Sequence, residues 1–133
     1  MSEDLGGMSL AEVSMGRLES KAAIVTGGAH GIGRAYCLGL AKESAKIAVV
    51  DLDLEAAEEV ARTIGEQGGE AVAIYADVSS EASTIAMAGP AAEALGSVDI
   101  LVNNAAVFEQ VPMSRVSFME VSAEEWDRLM AGN

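Results

Sequence analysis

The chain is poor in the residues that several kinds of protein depend on. Its 133 residues include one cysteine, Cys37, so no internal disulfide forms and the sequence suits a reducing compartment. Lys and Arg number 8 against 21 Asp and Glu, a formal net charge of −13. Nucleic acids and anionic membranes are bound through clustered cations, and this balance argues against both as partners. No apolar run approaches the ~20 residues that span a bilayer, and the basic n-region and apolar h-region of a secretory signal are missing from the start. The lone His30 has no Cys or His partner at ligand spacing, so no metal site is expected. There is also no GxSxG elbow and no glycine turn closing on Lys-Ser or Lys-Thr. These absences point to the cytoplasm.

What is present is a hydrophobic content of 50%, enough to build a core in a chain about one domain long. Residues 1–16 are rich in Ser, acids and glycine, and read as a flexible extension in which Met8 and Met15 offer alternative starts. From Leu18 onward, strands and helices alternate as in βαβ units around a parallel sheet. Ala22–Val25 is a short strand of the kind covered on both faces. Glycines follow at 27, 28, 31 and 33, after which Ile32, Ala35, Gly39 and Leu40 repeat at helical spacing. Lys46–Asp51 is a second strand. Asp53 is placed to cap a helix whose apolar face is Ala57, Val60, Ala61 and Ile64, and Gly68-Gly69 stops it. Glu70–Ala76 reads as the third strand, with Asp77-Val78 or Ser79-Ser80 capping a third helix. The face of that helix is Ile85, Ala88, Ala92 and Leu95. Pro90 falls inside it, where a lost donor costs about 3 kcal/mol unless the helix kinks. Ser44 stands where a glycine would end the first helix more easily. Val98–Asn103 is the fourth strand, and a loop over 107–121 leads to a last helix. Ser122 to Glu125 reads as a capping box, with Val121 stapled against Trp126.

The strand, glycine turn and helix at Ala22 to Arg34 suit an anion. A helix start leaves N–H groups unpaired at a positive dipole end, and glycines let the backbone approach a pyrophosphate. Such a turn is also found as an ordinary strand–helix connection. Asp51 lies 18 residues beyond Gly33, at the end of the second strand. An acid there accepts hydrogen bonds from adenosine ribose hydroxyls and repels a 2′-phosphate. The other reading of Asp51 is a helix-capping acid, a need that Asp53 already fills. Leu52 follows Asp51 and His30 precedes Gly31, so neither neighbour supplies the Lys or Arg of an NADP site. The pattern favours NAD over NADP, with Arg34 near enough to soften the preference.

Thr26-Gly27-Gly28-Ala29-His30-Gly31-Ile32-Gly33 resembles the TGxxxGxG turn of the short-chain dehydrogenase/reductase family, and further marks follow in order. Asp77-Val78 resembles the pair that contacts adenine in that family, Asp through its side chain and the next residue through its backbone. Asn103-Asn104-Ala105-Ala106 resembles the NNAG segment, which steadies the central sheet and approaches the cofactor ribose, with Ala106 in place of glycine. Asn133, seven positions after Trp126, resembles the helix asparagine that supports the catalytic lysine through a water. The resemblance covers about residues 17–133. It implies a Rossmann-like, doubly wound parallel α/β sheet of about four strands with helices on both faces, incomplete beside the full family fold. The implied cofactor site comprises Thr26, Gly27, His30, Gly31, Ile32, Gly33, Asp51, Leu52, Asp77, Val78, Asn103, Asn104 and Ala105. The implied activity is hydride transfer between NAD(H) and a small alcohol or ketone.

The family's chemistry uses a Ser and a Tyr-x-x-x-Lys couple. Only Tyr36 and Tyr75 occur; Leu40 and Ser79 stand four residues on, and no Lys follows Lys46. Both tyrosines are therefore expected to pack rather than to catalyse. The chain reads as the cofactor-binding first half of a family member. It is expected to be inactive alone, with the outer edge of its fourth strand exposed and its stability low or dependent on a partner. A noncatalytic nucleotide-binding module and a nonfunctional truncated fragment are the alternatives. The family commonly forms oligomers through the helix that opens at Ala123 and the next long helix. The substrate cannot be read from these residues.

Overall fold

The small and β-branched run Ala22–Thr26 forms the central strand β1, buried along its whole length. In this computed structural model, which describes residues 16–106 and 114–133, β1 is flanked by β2 (Lys46–Asp51) and β4 (Ile100–Val102), with β3 (Ala71–Tyr75) beyond β2. All three pairings are parallel: Ala22 lies opposite Lys46, Ile47 opposite Ala71, and Ala23 opposite Ile100. The strand order is β3-β2-β1-β4. The chain thus winds outward from β1 to β3 and then crosses back to β4. The reversal falls between β1 and β4, and in open parallel sheets it opens a crevice beyond the carboxyl ends of the strands.

Helices α1 (Gly31–Lys42), α2 (Leu54–Glu66) and α3 (Glu81–Leu95) connect the strands. Successive strand residues point to opposite faces, and both faces are covered. Ala23, Val25, Ile47 and Val49 pack with Cys37, Val60 and Ile64 of α1 and α2. Ala22, Ile24, Ala48 and Val50 pack with Met87, Ala91 and Leu95 of α3. This is the expected doubly wound α/β arrangement. Each fully buried Val or Ile contributes about 1.5–3 kcal/mol of hydrophobic stabilisation. A 3-10 turn at Phe118–Glu120 leads into α4 (Ala123–Gly132).

Local signals act where the sequence places them. Asp53 accepts the Ala56 N–H and caps α2. Gly68, with φ +87°, follows the end of α2. Of the two candidate caps for α3, Ser80 is the N-cap, whereas Asp77 accepts the N–H and Oγ–H of Ser79 just before it. Ser44 is left-handed, with φ +72°, and its Oγ accepts the Gly16 N–H at 3.1 Å. The extension expected over residues 1–16 lies outside the described residues apart from Gly16, as do residues 107–113 of the loop before α4.

Several expectations are corrected. The strands β3 and β4 are each shorter than read, and β1 extends one residue further, to Thr26. The inward face of α1 is Gly33 and Cys37, helped by Leu38, Leu40 and Ala41, whereas Ile32 is 68% exposed and Ala35 and Gly39 face out. On α3 Leu95 is buried as expected, but it is joined by Met87 and Ala91, whereas Ile85, Ala88 and Ala92 are exposed. This helix is apolar nearly all round, so its pattern carries little phase. It also runs through Pro90 without ending. At α4, Ser122 accepts the Glu125 N–H, but the Glu125 carboxylate bonds Ser114 instead of closing the box. The reciprocal box forms at Ser117 and Glu120, and Trp126 meets Phe118 edge to face at 6.4 Å. Tyr36 and Tyr75 are about half exposed, not packed within the core. Among the described residues, β4 pairs only with β1, so its other edge is open and Leu101 is exposed.

Candidate functional site

The carboxyl ends of all four strands open on one cleft of about 760 Å³, within the range of small-molecule and cofactor sites. Gly27, His30, Gly31 and Ile32 line it after β1, and Val50, Asp51 and Leu52 at the end of β2. Ala76 to Ser79 follow from β3, and Asn104 to Ala106 from β4. Arg128, Ala131 and Gly132 of α4 complete the lining. A second hollow of about 480 Å³ lies along the outer side of α1, away from the strand ends.

The turn after β1 is shaped by close approach. Gly27 has φ +64° and Gly31 φ +53°, a region that favours glycine. A Cβ on Gly33 would collide with the Gly27 carbonyl and lie 2.6 Å from Asn104 Nδ2. Gly28 rests on the core: its N–H donates to the Val50 carbonyl at 3.1 Å, and a Cβ there would lie 2.9 Å from Cys37 Sγ. Cys37 is fully buried, and loss of hydration pushes its thiol up to about 12. It is an inert part of the core beneath the turn.

Thr26 and Asn104 lock β1 to the segment after β4. Thr26 Oγ1 accepts the N–H groups of Asn104 and Ala105, both at 3.1 Å, and donates to the Val102 carbonyl at 3.3 Å. The Asn104 side-chain amide donates to the carbonyls of Thr26 and Gly27. Asn104 is thus spent on bracing the turn, while Thr26 is buried below it.

Helix α1 differs from its neighbours at its start. Asp53, Ser80 and Ser122 cap α2, α3 and α4 with their side chains, whereas His30 makes no such bond at α1 and no acid occupies its first turn. The first N–H groups of α1 therefore lack helical and side-chain caps at the positive dipole end, beside the cleft. Asp51, 7% exposed, stands across from them. Its Oδ2 accepts the Ala29 N–H at 3.1 Å and its Oδ1 the Asp53 N–H at 3.0 Å. A carboxylate has about four acceptor positions, so each oxygen keeps capacity for a hydroxyl donor.

Asp77 spends Oδ1 on Ser79, and those two bonds hold its carboxyl below the usual range. Leu52, 47% exposed, and Val78 give the same end of the cleft apolar surface. Asn103 is exposed and lies outside the lining, and so does Asn133, whose Nδ2 donates to the Leu129 carbonyl at 2.7 Å. The α4 side of the cleft, Arg128 with Ala131 and Gly132, was not anticipated. It comes from a helix about 100 residues from the glycine turn, and no local pattern announces such a contact.

Known proteins share this arrangement. The sequence model of the short chain dehydrogenases matches residues 21–133. A sorbitol dehydrogenase of Cereibacter sphaeroides is 42% identical over 117 residues, covering 88% of this chain and 43% of its own. A D-threitol dehydrogenase of Mycolicibacterium smegmatis is 40% identical, again over 88% of this chain and 43% of its own. Among solved structures, a 7 alpha-hydroxysteroid dehydrogenase complexed with NADH and 7-oxo glycochenodeoxycholic acid superposes with a TM-score of 0.78 at 35% identity, over 88% of this chain and 44% of that one. The chain therefore spans less than half the length of the relatives it matches. On the family match and the shared fold, the chain belongs to the short-chain dehydrogenase/reductase family, whose members are nicotinamide-dinucleotide-dependent oxidoreductases.

Proposed function

We propose that the chain is the NAD(H)-binding portion of an oxidoreductase acting on a small alcohol or ketone. One observation carries this reading: the uncapped start of α1 and the carboxylate of Asp51 share a single cleft at the switch point of the sheet. A dinucleotide needs both, N–H groups for its pyrophosphate and an acceptor for its adenosine ribose. The bare backbone at Gly27 and Gly33 fits the first need, and the remaining acceptor capacity of Asp51 fits the second.

When bound, NAD(H) supplies the hydride carrier. Thr26, Gly27, His30, Gly31, Ile32 and Gly33 form and support the pyrophosphate turn. Asp51 accepts the ribose hydroxyls and repels a 2′-phosphate, which makes NAD the preferred form. Leu52 and Val78 would give the adenine apolar surface, and the Asp77 carboxylate would accept from its amine. Asn104 and Ala105, which line the cleft, would flank the second ribose, with Asn104 holding the turn in place and Asn103 next to them outside the lining. Asn133 is the residue reserved for supporting a catalytic lysine.

Calorimetric titration of the 133-residue chain with NAD and NADP tests the proposal. NAD is expected to bind more tightly, and a folded chain that binds neither would sink it. Within these residues no Tyr-x-x-x-Lys couple occurs, which favours a second reading, a dinucleotide-binding module with no turnover of its own. NAD-linked oxidation by the purified chain, assayed with polyols and hydroxysteroids (the compound classes named for its relatives), would eliminate that second reading.

A further inference from the structure

Helix α4 closes one side of the cleft with Arg128, Ala131 and Gly132. Residues at i, i+3 and i+4 share a helix face, so a single face of α4 meets the site. Ala131 and Gly132 are small, which leaves the guanidinium as the one long side chain on that face. Among the described residues lining the cleft, Asp51 and Asp77 are acids and Arg128 is the only Lys or Arg. A chain with a formal net charge of −13 repels an anionic ligand at long range. The N–H groups at the start of α1 act on such a ligand only at close range. A guanidinium stays charged and presents five N–H donors in a planar fork that matches phosphate. Arg128 is exposed, so a ligand can reach it.

Support of α4 itself accounts for little of this placement. Glu125, one turn earlier, accepts the N–H and the Oγ–H of Ser114 at 2.8 and 2.7 Å, one on each oxygen. Its carboxyl is lowered by Ser114 first and by Arg128 last. Even beside a carboxylate, the five donors of a guanidinium leave capacity for a second anion.

We propose that Arg128 is a ligand-binding residue of the cleft: its guanidinium donates to phosphate oxygens of the bound dinucleotide, adding a side-chain charge to the backbone N–H groups of α1. The inference rests on the dinucleotide reading above and extends its site to a helix that the glycine turn does not reach along the chain.

Two variants of the full 133-residue chain test it, Arg128→Gln and Arg128→Lys. Both side chains are good helix formers and the position is exposed, so α4 keeps its shape, which thermal melts check. Dissociation constants for NAD are measured by calorimetry at low and at high salt. At low salt Arg128→Gln is expected to raise the constant roughly fivefold to twentyfold, the scale of a charged hydrogen bond that stays partly solvated. Arg128→Lys keeps the charge without the fork and should stay within about threefold of wild type. The gap between wild type and Arg128→Gln should narrow from about 0.01 M to 1 M salt, as the Debye length falls from about 30 Å to 3 Å. An unchanged constant in Arg128→Gln overturns the inference while the dinucleotide reading stands. So does an equal loss in both variants at every salt, the mark of a purely structural role. A wild-type chain that does not bind NAD removes the dinucleotide reading, and this inference with it.

Discussion

The carboxylate of Asp51 accepts the N–H of Ala29 at 3.1 Å, joining the end of β2 to the glycine turn 22 residues earlier. Its other oxygen accepts the Asp53 N–H at 3.0 Å. The residue proposed to hold the ribose therefore also holds the shape of the site. In Asp51→Asn only one oxygen remains, and the amide turns its own hydrogens toward one of the two N–H groups. A stability loss of about 1–3 kcal/mol is expected, the scale of a buried N–H left unpaired, and is read from urea denaturation. NAD affinity should fall about tenfold or more through the lost charged acceptor.

Two glycines of α1 should respond to alanine in opposite ways. At Gly33 a Cβ meets the Gly27 carbonyl and Asn104 Nδ2, so Gly33→Ala must open the turn or break the Asn104 brace. Destabilisation of about 1–3 kcal/mol and loss of detectable NAD binding are expected. At Gly39 a Cβ has nothing within 4 Å. Gly39→Ala should stabilise the chain by about 0.5–1 kcal/mol through helix propensity and leave NAD affinity unaltered. Melts and titrations of the pair would expose an error in either assignment.

This contrast explains how much was legible beforehand. The glycine pattern, the apolar strands and the acid after β2 are local, and they located the cleft and the doubly wound sheet. On α1 the helical spacing of Ile32, Ala35, Gly39 and Leu40 marks a helix but not its inward face, since only Leu40 of the four packs against the core. Gly33, close to the Gly27 carbonyl, and Cys37 are the buried residues of the helix, and a glycine has no hydrophobic signal. On α3 periodicity finds Leu95 but not Met87 and Ala91, since almost every residue there is apolar or small. Glu125 has a capping-box position but pairs with Ser114, eleven residues back. Such a choice depends on tertiary placement, as does the arrival of Arg128 at the cleft.

Thr26→Val should loosen the segment after β4. The substitution keeps the volume but removes the oxygen that accepts from Asn104 and Ala105. Strand β4 has three residues in register with β1, and beyond them the Asn104 side-chain amide, bonded to the Thr26 and Gly27 carbonyls, is left to hold this segment. A loss of about 1–3 kcal/mol is expected, with amide exchange of Asn104 and Ala105 accelerated more than that of Ile47 or Val49. Uniform acceleration across the sheet would contradict the local role.

Acid should weaken the same edge. The Ala22 N–H donates to Asp99 Oδ2 at 2.9 Å and is the main reason the Asp99 carboxyl lies below its usual range. A carboxyl lowered in the folded state stabilises it above the ordinary aspartate value of about 3.9, and that contribution disappears as pH falls through the folded value. Asp77 and Glu125 are lowered in the same direction by Ser79 and Ser114. Stability is therefore expected to decline below about pH 4. Asp99→Asn should lower stability at neutral pH and flatten the acid limb. An unchanged limb in that variant would show that the bond to Ala22 does not govern it.

The thiol of Cys37 offers a direct view of the turn above it. Sγ lies 3.7 Å from the Gly28 carbonyl, fully buried, with its pKa pushed up to about 12 by burial. The thiolate is the reactive form and Sγ is fully buried, so at pH 8 a folded chain should react with a disulfide reagent far more slowly than the denatured chain. Modification then requires the turn or α1 to open. If the cofactor rests on that turn, saturating NAD should slow labelling further by roughly the factor 1 + [NAD]/Kd, because only the unliganded chain opens. Labelling that is fast in the folded chain would contradict the buried position of Cys37. Labelling that is slow but indifferent to NAD would separate the turn from the binding site.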